Sequence, residues 1–90
     1  MKYRRTKGFR RDYDGLPDHI KVLVREKFEL FRNDHFHPSL RIKKMQGEGD
    51  IWEGHITTDY VFTFHWDESD DGEPIVVFRR IGRHSIYKSP

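Results

Sequence analysis

The second half of this 90-residue chain carries histidine, arginine, aspartate and tyrosine at spacings that a β-sheet would gather onto one surface. Side chains alternate across a strand, so residues two apart share a face. In Trp52-Glu53-Gly54-His55-Ile56, Glu53 and His55 share one face, and Trp52 and Ile56 share the other. From Tyr60 to Trp66, Val61, Thr63 and His65 oppose an aromatic row of Tyr60, Phe62, Phe64 and Trp66. Arg80 is followed by Gly82 and His84. One face thus holds His55, Arg80 and His84, with Asp59 and Tyr60 at a hairpin end and Tyr87 in the tail. Lys43 and Lys44 end the neighbouring strand.

That inventory suits cleavage of RNA by its own 2′-hydroxyl. The reaction needs a base for the hydroxyl proton, cations for the charge that builds on phosphorus, and an acid for the leaving 5′-oxygen. Histidine serves as either base or acid because it titrates near pH 6.5. Arginine and lysine supply fixed positive charge. No metal or other cofactor is required, since the nucleophile is already in the substrate. Plainer roles exist for each group: Asp59 as a turn residue, Arg79 and Arg80 as strand-edge charge, Tyr87 as packing. His35-Phe36-His37 lacks acidic or thiol partners at ligand spacing, so no metal site is expected there.

The elements that must position these residues follow from periodicity. Tyr3 to Thr6 reads as a short strand, too charged to be central. Phe9, Tyr13 and Leu16 mark one helical face, which Pro17 ends. The clearest helix runs from Asp18, its expected N-cap, to Asn33. Ile20, Leu23, Val24, Phe28 and Phe31 lie on its apolar side, and an Arg25–Glu29 pair on its polar side. After Pro38 the period changes to two from Leu40 to Met45, and Gly47-Glu48-Gly49-Asp50 makes a turn. Ile51 to Thr57 and Tyr60 to Trp66 form a hairpin around Thr58-Asp59. Asp67 to Pro74 is an acidic loop, Ile75 to Ile81 an apolar internal strand broken by Gly82, and His84 to Tyr87 a short tail.

The expected fold class is α+β: an N-terminal strand and two helices packed on a four-stranded antiparallel sheet, with the second sheet face concave and wet. Residues 1–90 form a single domain, because a second core would lack chain to close around it. The apolar fraction is only 34%, so much of the core must come from the seven Phe, four Tyr and two Trp. Without cysteine there is no disulfide framework, which fits a reducing, cytoplasmic setting. The longest apolar run is Ile75-Val76-Val77-Phe78, too short for a membrane span, and no apolar stretch follows the basic start as in a signal peptide. Residues 1–50 carry a net +5 and residues 51–90 a net −3. Folding that brings the basic half beside Arg79, Arg80 and Arg83 makes a patch that attracts phosphates.

Three segments resemble a known family in order and spacing. They are His37-Pro38-Ser39-Leu40-Arg41-Ile42-Lys43-Lys44-Met45-Gln46-Gly47, then Trp52-Glu53-Gly54-His55-Ile56 with Asp59-Tyr60-Val61-Phe62-Thr63-Phe64, and finally Arg80-Ile81-Gly82-Arg83-His84-Ser85-Ile86-Tyr87. Over nearly the whole chain they resemble the RelE/ParE superfamily of toxins from type II toxin–antitoxin systems, and within it the YafQ-like branch. The resemblance implies a ribosome-dependent mRNA endonuclease. In that role His84 acts as acid or base with His55 as partner, and Asp59 orients His55 or is itself the base. Arg80 with Lys43 or Lys44 stabilises the phosphorane, and Tyr87 and Tyr60 stack on or position a base. Lys43, Lys44, Tyr60 and Arg83 form the RNA-binding set. The implied partners are the ribosome, its messenger RNA and a cognate antitoxin protein; no membrane and no small-molecule cofactor is implied.

The chain departs from that pattern. Val61 stands where many RelE-type members have Arg, Glu53 and His55 stand in a region where they have lysines, and the branch's histidine near Lys43 is missing. A ParE-like toxin that inhibits DNA gyrase, a catalytically weakened ribosome-binding member and a plain RNA-binding module are the alternatives. His55 and His84 favour the nuclease.

Overall fold

Thr6 turns an opening strand, β1 (Lys2–Arg5), into the first helix, α1 (Lys7–Asp14). Its Oγ1 accepts the Phe9 N–H at 3.0 Å, satisfying one of the free donors of the first turn. The same hydroxyl donates to the Arg79 carbonyl at 2.8 Å, which ties the start of the helix to a distant strand. The second helix, α2, spans Asp18–Asn33 with Pro17 at its N-cap. Asp18, expected as the cap, is instead the first helical residue, where its charge favours the positive end of the helix dipole. Glu29 pairs with Arg32 at 3.3 Å rather than with Arg25. The structure, a computed structural model, describes residues 1–47 and 49–90.

Four further strands follow: β2 (Lys43–Lys44), β3 (Trp52–His55), β4 (Tyr60–Glu68) and β5 (Pro74–Arg83). They join β1 in one five-stranded sheet of order β1-β5-β4-β3-β2. The expected four-stranded antiparallel sheet is therefore a mixed one, because β1 adds to the edge of β5 in parallel, Tyr3 opposite Val76 and Arg5 opposite Phe78. A parallel neighbour requires a long crossover, and α1 and α2 provide it. All four residues of β1 are exposed, and three of them are basic, which suits an edge strand.

The core fills the space between α2 and one sheet face. Ile20, Val24 and Phe31 are buried there, with Leu23 and Phe28 packed at the margin. They meet the inward rows Phe62 and Phe64 of β4 and Val76, Phe78 and Ile81 of β5. Phe28 stacks on Phe78 with centroids 4.3 Å apart, and Phe31 meets Phe64 edge-on at 5.4 Å. Such pairs add about 0.5–1.5 kcal/mol beyond the burial of their area.

Three local expectations change. The period-two stretch from Leu40 yields only the two-residue β2. Pro38–Leu40 is a 3₁₀ turn that buries Leu40, and Arg41 follows in the left-handed region with φ 49°. The turn expected at Gly47-Glu48-Gly49-Asp50 includes Glu48, which lies outside the described residues. Gly82 does not break β5, which continues to Arg83, and the acidic loop shortens because β4 extends to Glu68.

The second sheet face is open only in part. A C-terminal 3₁₀ turn (His84–Lys88) and Ser89-Pro90 fold back across it, leaving Val61 and Thr63 fully buried and Ile86 nearly so. Gly82 permits this: a Cβ there would lie 3.1 Å from Ile86 Cγ2.

Candidate functional site

Glu53 and His55 sit two apart on β3 and so point to the same face, away from α2. Lys43 lies opposite Glu53 in the β2–β3 register. In the C-terminal turn, His84 and Tyr87 are three residues apart, and a 3₁₀ turn of three residues sets such side chains in line. Together with Arg41 these five residues line an open cleft of about 520 Å³.

The rings form a series across it. His55 and His84 have centroids 6.0 Å apart, and His84 and Tyr87 5.4 Å, both edge-on. The Glu53 carboxylate is the common neighbour. Its Oε1 lies 3.8 Å from Lys43 Nζ and 3.9 Å from His55 Nε2, and accepts from the Tyr87 hydroxyl at 3.4 Å. His84 Nε2 is 2.9 Å from the Thr58 carbonyl oxygen. A carbonyl only accepts, so Nε2 carries the hydrogen and Nδ1 is left to exchange a proton.

Burial holds His55 below the ordinary histidine range, against the opposing pull of Glu53 and a backbone hydrogen bond with Thr57; Arg41 and His84 add to the lowering. His55 is therefore neutral near pH 7 and able to accept a proton. Burial also pushes the Tyr87 phenol well above its usual value, and the adjacent Glu53 charge and hydrogen bond push it further. Tyr87 stays a neutral donor at every physiological pH.

Of the residues singled out by sequence, the cleft brings together Lys43, His55, His84 and Tyr87. The others are placed elsewhere. The Arg80 guanidinium is forked onto Asp12 of α1, Nε to Oδ2 at 2.6 Å and Nη2 to Oδ1 at 3.3 Å. Asp59 is exposed at the hairpin tip, where its backbone N–H bonds to Thr57 Oγ1. Lys44 points the other way from Lys43 and pairs with Asp50 at 2.9 Å. Tyr60 packs against the core on the helix side, with Arg83 over its ring at 5.1 Å. His35 and His37 take different partners, Tyr3 and Ser39, and among the described residues no three His, Asp or Glu side chains are grouped as ligands.

Two cleft residues were not among the expected site residues. Glu53 shares a strand face with His55 in the sequence, but its charge counted there only as a departure from a resemblance. Arg41 reaches the cleft because its left-handed backbone redirects the chain after Leu40, and nothing in the periodicity marks that. With Arg41 and Lys43 against Glu53, the cleft keeps an excess of positive charge beside a neutral imidazole. It can receive an anionic ligand and exchange protons with it.

No family model and no curated protein matches the chain. Solved structures do. A YoeB/ParE toxin from Agrobacterium tumefaciens superposes with a TM-score of 0.75 at 15% identity, over 93% of this chain and 99% of that one. YafQ from E. coli strain BL21(DE3) gives 0.74 at 12% identity over 96% of each chain. A chain of the RelB–RelE antitoxin–toxin complex from Methanococcus jannaschii gives 0.68 at 24% identity, covering 97% of this chain and 99% of that one. The neighbours are toxins of the RelE, ParE and YafQ kinds. This chain has the RelE/ParE toxin fold.

Proposed function

We propose that the chain is the toxin of a type II toxin–antitoxin pair and that it cuts messenger RNA on the ribosome. The observation that carries this reading is the cleft itself. Two histidines whose rings lie 6.0 Å apart stand with Tyr87, Lys43 and Arg41 around one open space. In the reaction the RNA 2′-oxygen attacks the adjacent phosphorus, the bond to the 5′-oxygen breaks, and a cyclic phosphate and a 5′-hydroxyl are left. His55, neutral and partly buried, takes the proton from the 2′-hydroxyl. His84, nearer solvent, returns one to the leaving 5′-oxygen. Lys43 and Arg41 balance the charge on phosphorus, and the Tyr87 hydroxyl turns its single hydrogen from Glu53 to a phosphate oxygen.

A cognate antitoxin partner is part of the same reading. It rests on neighbours described as antitoxin–toxin complexes, RelB–RelE from M. jannaschii and DinJ–YafQ from E. coli.

Glu53 favours a second reading. A carboxylate in the cleft repels phosphate, as expected of a member that binds without cutting or that acts on a protein target such as gyrase. Induced expression of wild type and His84→Ala in growing cells, with mRNA 5′ ends mapped, separates the two. Growth arrest with new cuts in translated messages, both lost in the variant, supports the nuclease. Arrest with intact messages sinks it in favour of the second reading.

A further inference from the structure

Arg80 has a different set of partners from those a phosphate-binding residue needs. Its Nε and Nη2 are committed to the Asp12 carboxylate, and its Nη1 donates to the Ser89 carbonyl at 3.1 Å. One guanidinium thus joins α1 to the C-terminal segment. The planar fork of arginine fits a carboxylate with two parallel bonds, so the head group is fixed in direction as well as place. Asp12 is fixed in turn, because its Oδ2 also accepts the Ile81 N–H at 3.2 Å. That bond serves the stretch of β5 that outruns β1 and has no strand beside it on that edge.

Neighbouring groups grip the same segment. The Pro90 carbonyl accepts from Arg79 Nε at 3.0 Å and from Thr63 Oγ1 at 3.2 Å. Arg79 is the extra residue of a β-bulge: Arg80 pairs with Thr63 and Phe78 with Phe64, leaving Arg79 unpaired between them. The bulge lets both Arg79 and Arg80 reach carbonyls of the returning segment. Arg79 Nη1 meets His65 Nδ1 at 2.9 Å, which steadies it from the other side.

We propose that Asp12 is a positioning residue for the cleft: through Arg80 it holds the C-terminal segment that places His84 and Tyr87 beside Glu53 and His55. Arg80 then acts on the segment and not on the substrate. Severing the link leaves the turn His84–Lys88 attached through its start at the end of β5, where His84 bonds to the Thr58 carbonyl, through Ile86 and through the Pro90 contacts. The stretch from Tyr87 to Ser89 loses its tie to α1, and Tyr87 its fixed approach to Glu53. The clamp is independent of what the cleft does; only its effect on cleavage rests on the nuclease reading.

Asp12→Asn and Arg80→Gln test this together. The asparagine amide oxygen still accepts from Ile81, and Arg80→Gln leaves the Asp12–Ile81 bond whole, so both variants keep α1 docked. Amide hydrogen exchange at residues 84–90 is compared with that of β4, and the Tyr87 phenol is titrated by absorbance against a Tyr87→Phe reference. In both variants the Ser89 amide, bonded to the Ile86 carbonyl at 3.0 Å in the intact turn, is expected to exchange roughly tenfold or more faster while β4 amides keep their protection. Tyr87 titrates at lower pH than in wild type. Ribosomal mRNA cleavage falls about ten- to a hundredfold in each single variant and no further in the double variant, as for two residues acting through one link. Unchanged exchange at 84–90 in both variants overturns the proposal. So does a loss of cleavage confined to Arg80→Gln with the segment still protected, since Arg80 would then act on RNA directly. If wild type cuts no message, the nuclease reading fails and the exchange and titration results still decide the clamp.

Discussion

The Tyr87 hydroxyl donates to Oε1 of Glu53 at 3.4 Å, joining the C-terminal turn to the middle of β3 across the cleft. A phenol is a poor anion in such a place. Burial disfavours its ionised form, and a carboxylate next to it disfavours that form again. Tyr87 is therefore locked as a donor, and Glu53 is the group it is locked to. The same carboxylate faces Lys43 and His55, so it sits where a substrate phosphate would find its natural partners.

Replacing Glu53 by Gln removes that competitor. Binding of a short single-stranded RNA at low salt is expected to tighten about fivefold, as one repulsive charge near the surface is lost. The salt dependence should steepen as Lys43 becomes free to engage phosphate. Filter binding or fluorescence anisotropy over a salt series measures both. Equal or weaker binding by the variant would show that Glu53 does not compete with phosphate.

Gly54 lies between Glu53 and His55 and faces the core. A Cβ at this position would fall 2.6 Å from Ile42 Cδ1 and closer still to the ring of Phe62, which is fully buried and paired with Gly54 across the strands. Gly54→Ala is expected to cost about 1–3 kcal/mol of stability through overpacking. A denaturant midpoint equal to wild type would mean that the Phe62 ring has room to yield.

Stability should fall as the pH drops below neutrality. Burial lowers both His55 and His65, with Arg79 lowering His65 further. The folded chain therefore takes up these protons later than the unfolded chain. Above the ordinary histidine value near 6.5 neither state is protonated and the stability is full. As the pH falls through that value toward the lower folded values, the unfolded state gains protons first and stability is lost. Urea midpoints between about pH 7.5 and pH 5.5 follow this, and His65→Gln with His55→Gln should flatten the slope. An unchanged slope in the double variant would assign the loss to other groups.

Much of this protein was readable from local pattern. The five apolar positions of α2 predicted its buried side, because a helix stripe is set by residues three and four apart, while its span was read from Asp18 and Asn33. The alternation in Tyr60–Trp66 identified the core row correctly for the same kind of reason. The rings of His55 and His84 lie 6.0 Å apart, but His84 stands in the 3₁₀ turn beyond the end of β5, so strand parity accounts for the face of His55 and not for the place of His84.

The amino-acid sequence by itself determined the two helices, the helix-facing row of β4, and the pairing of the β3–β4 hairpin, all consequences of neighbours within a few residues. The tertiary structure decided the rest. It set β1 parallel to β5, folded the C-terminal segment over the second sheet face, brought Arg41 into the cleft, and joined Arg80 to Asp12 across 68 positions. Each of these depends on surfaces far apart in the chain meeting at a particular distance, and no period of two or 3.6 records such a meeting.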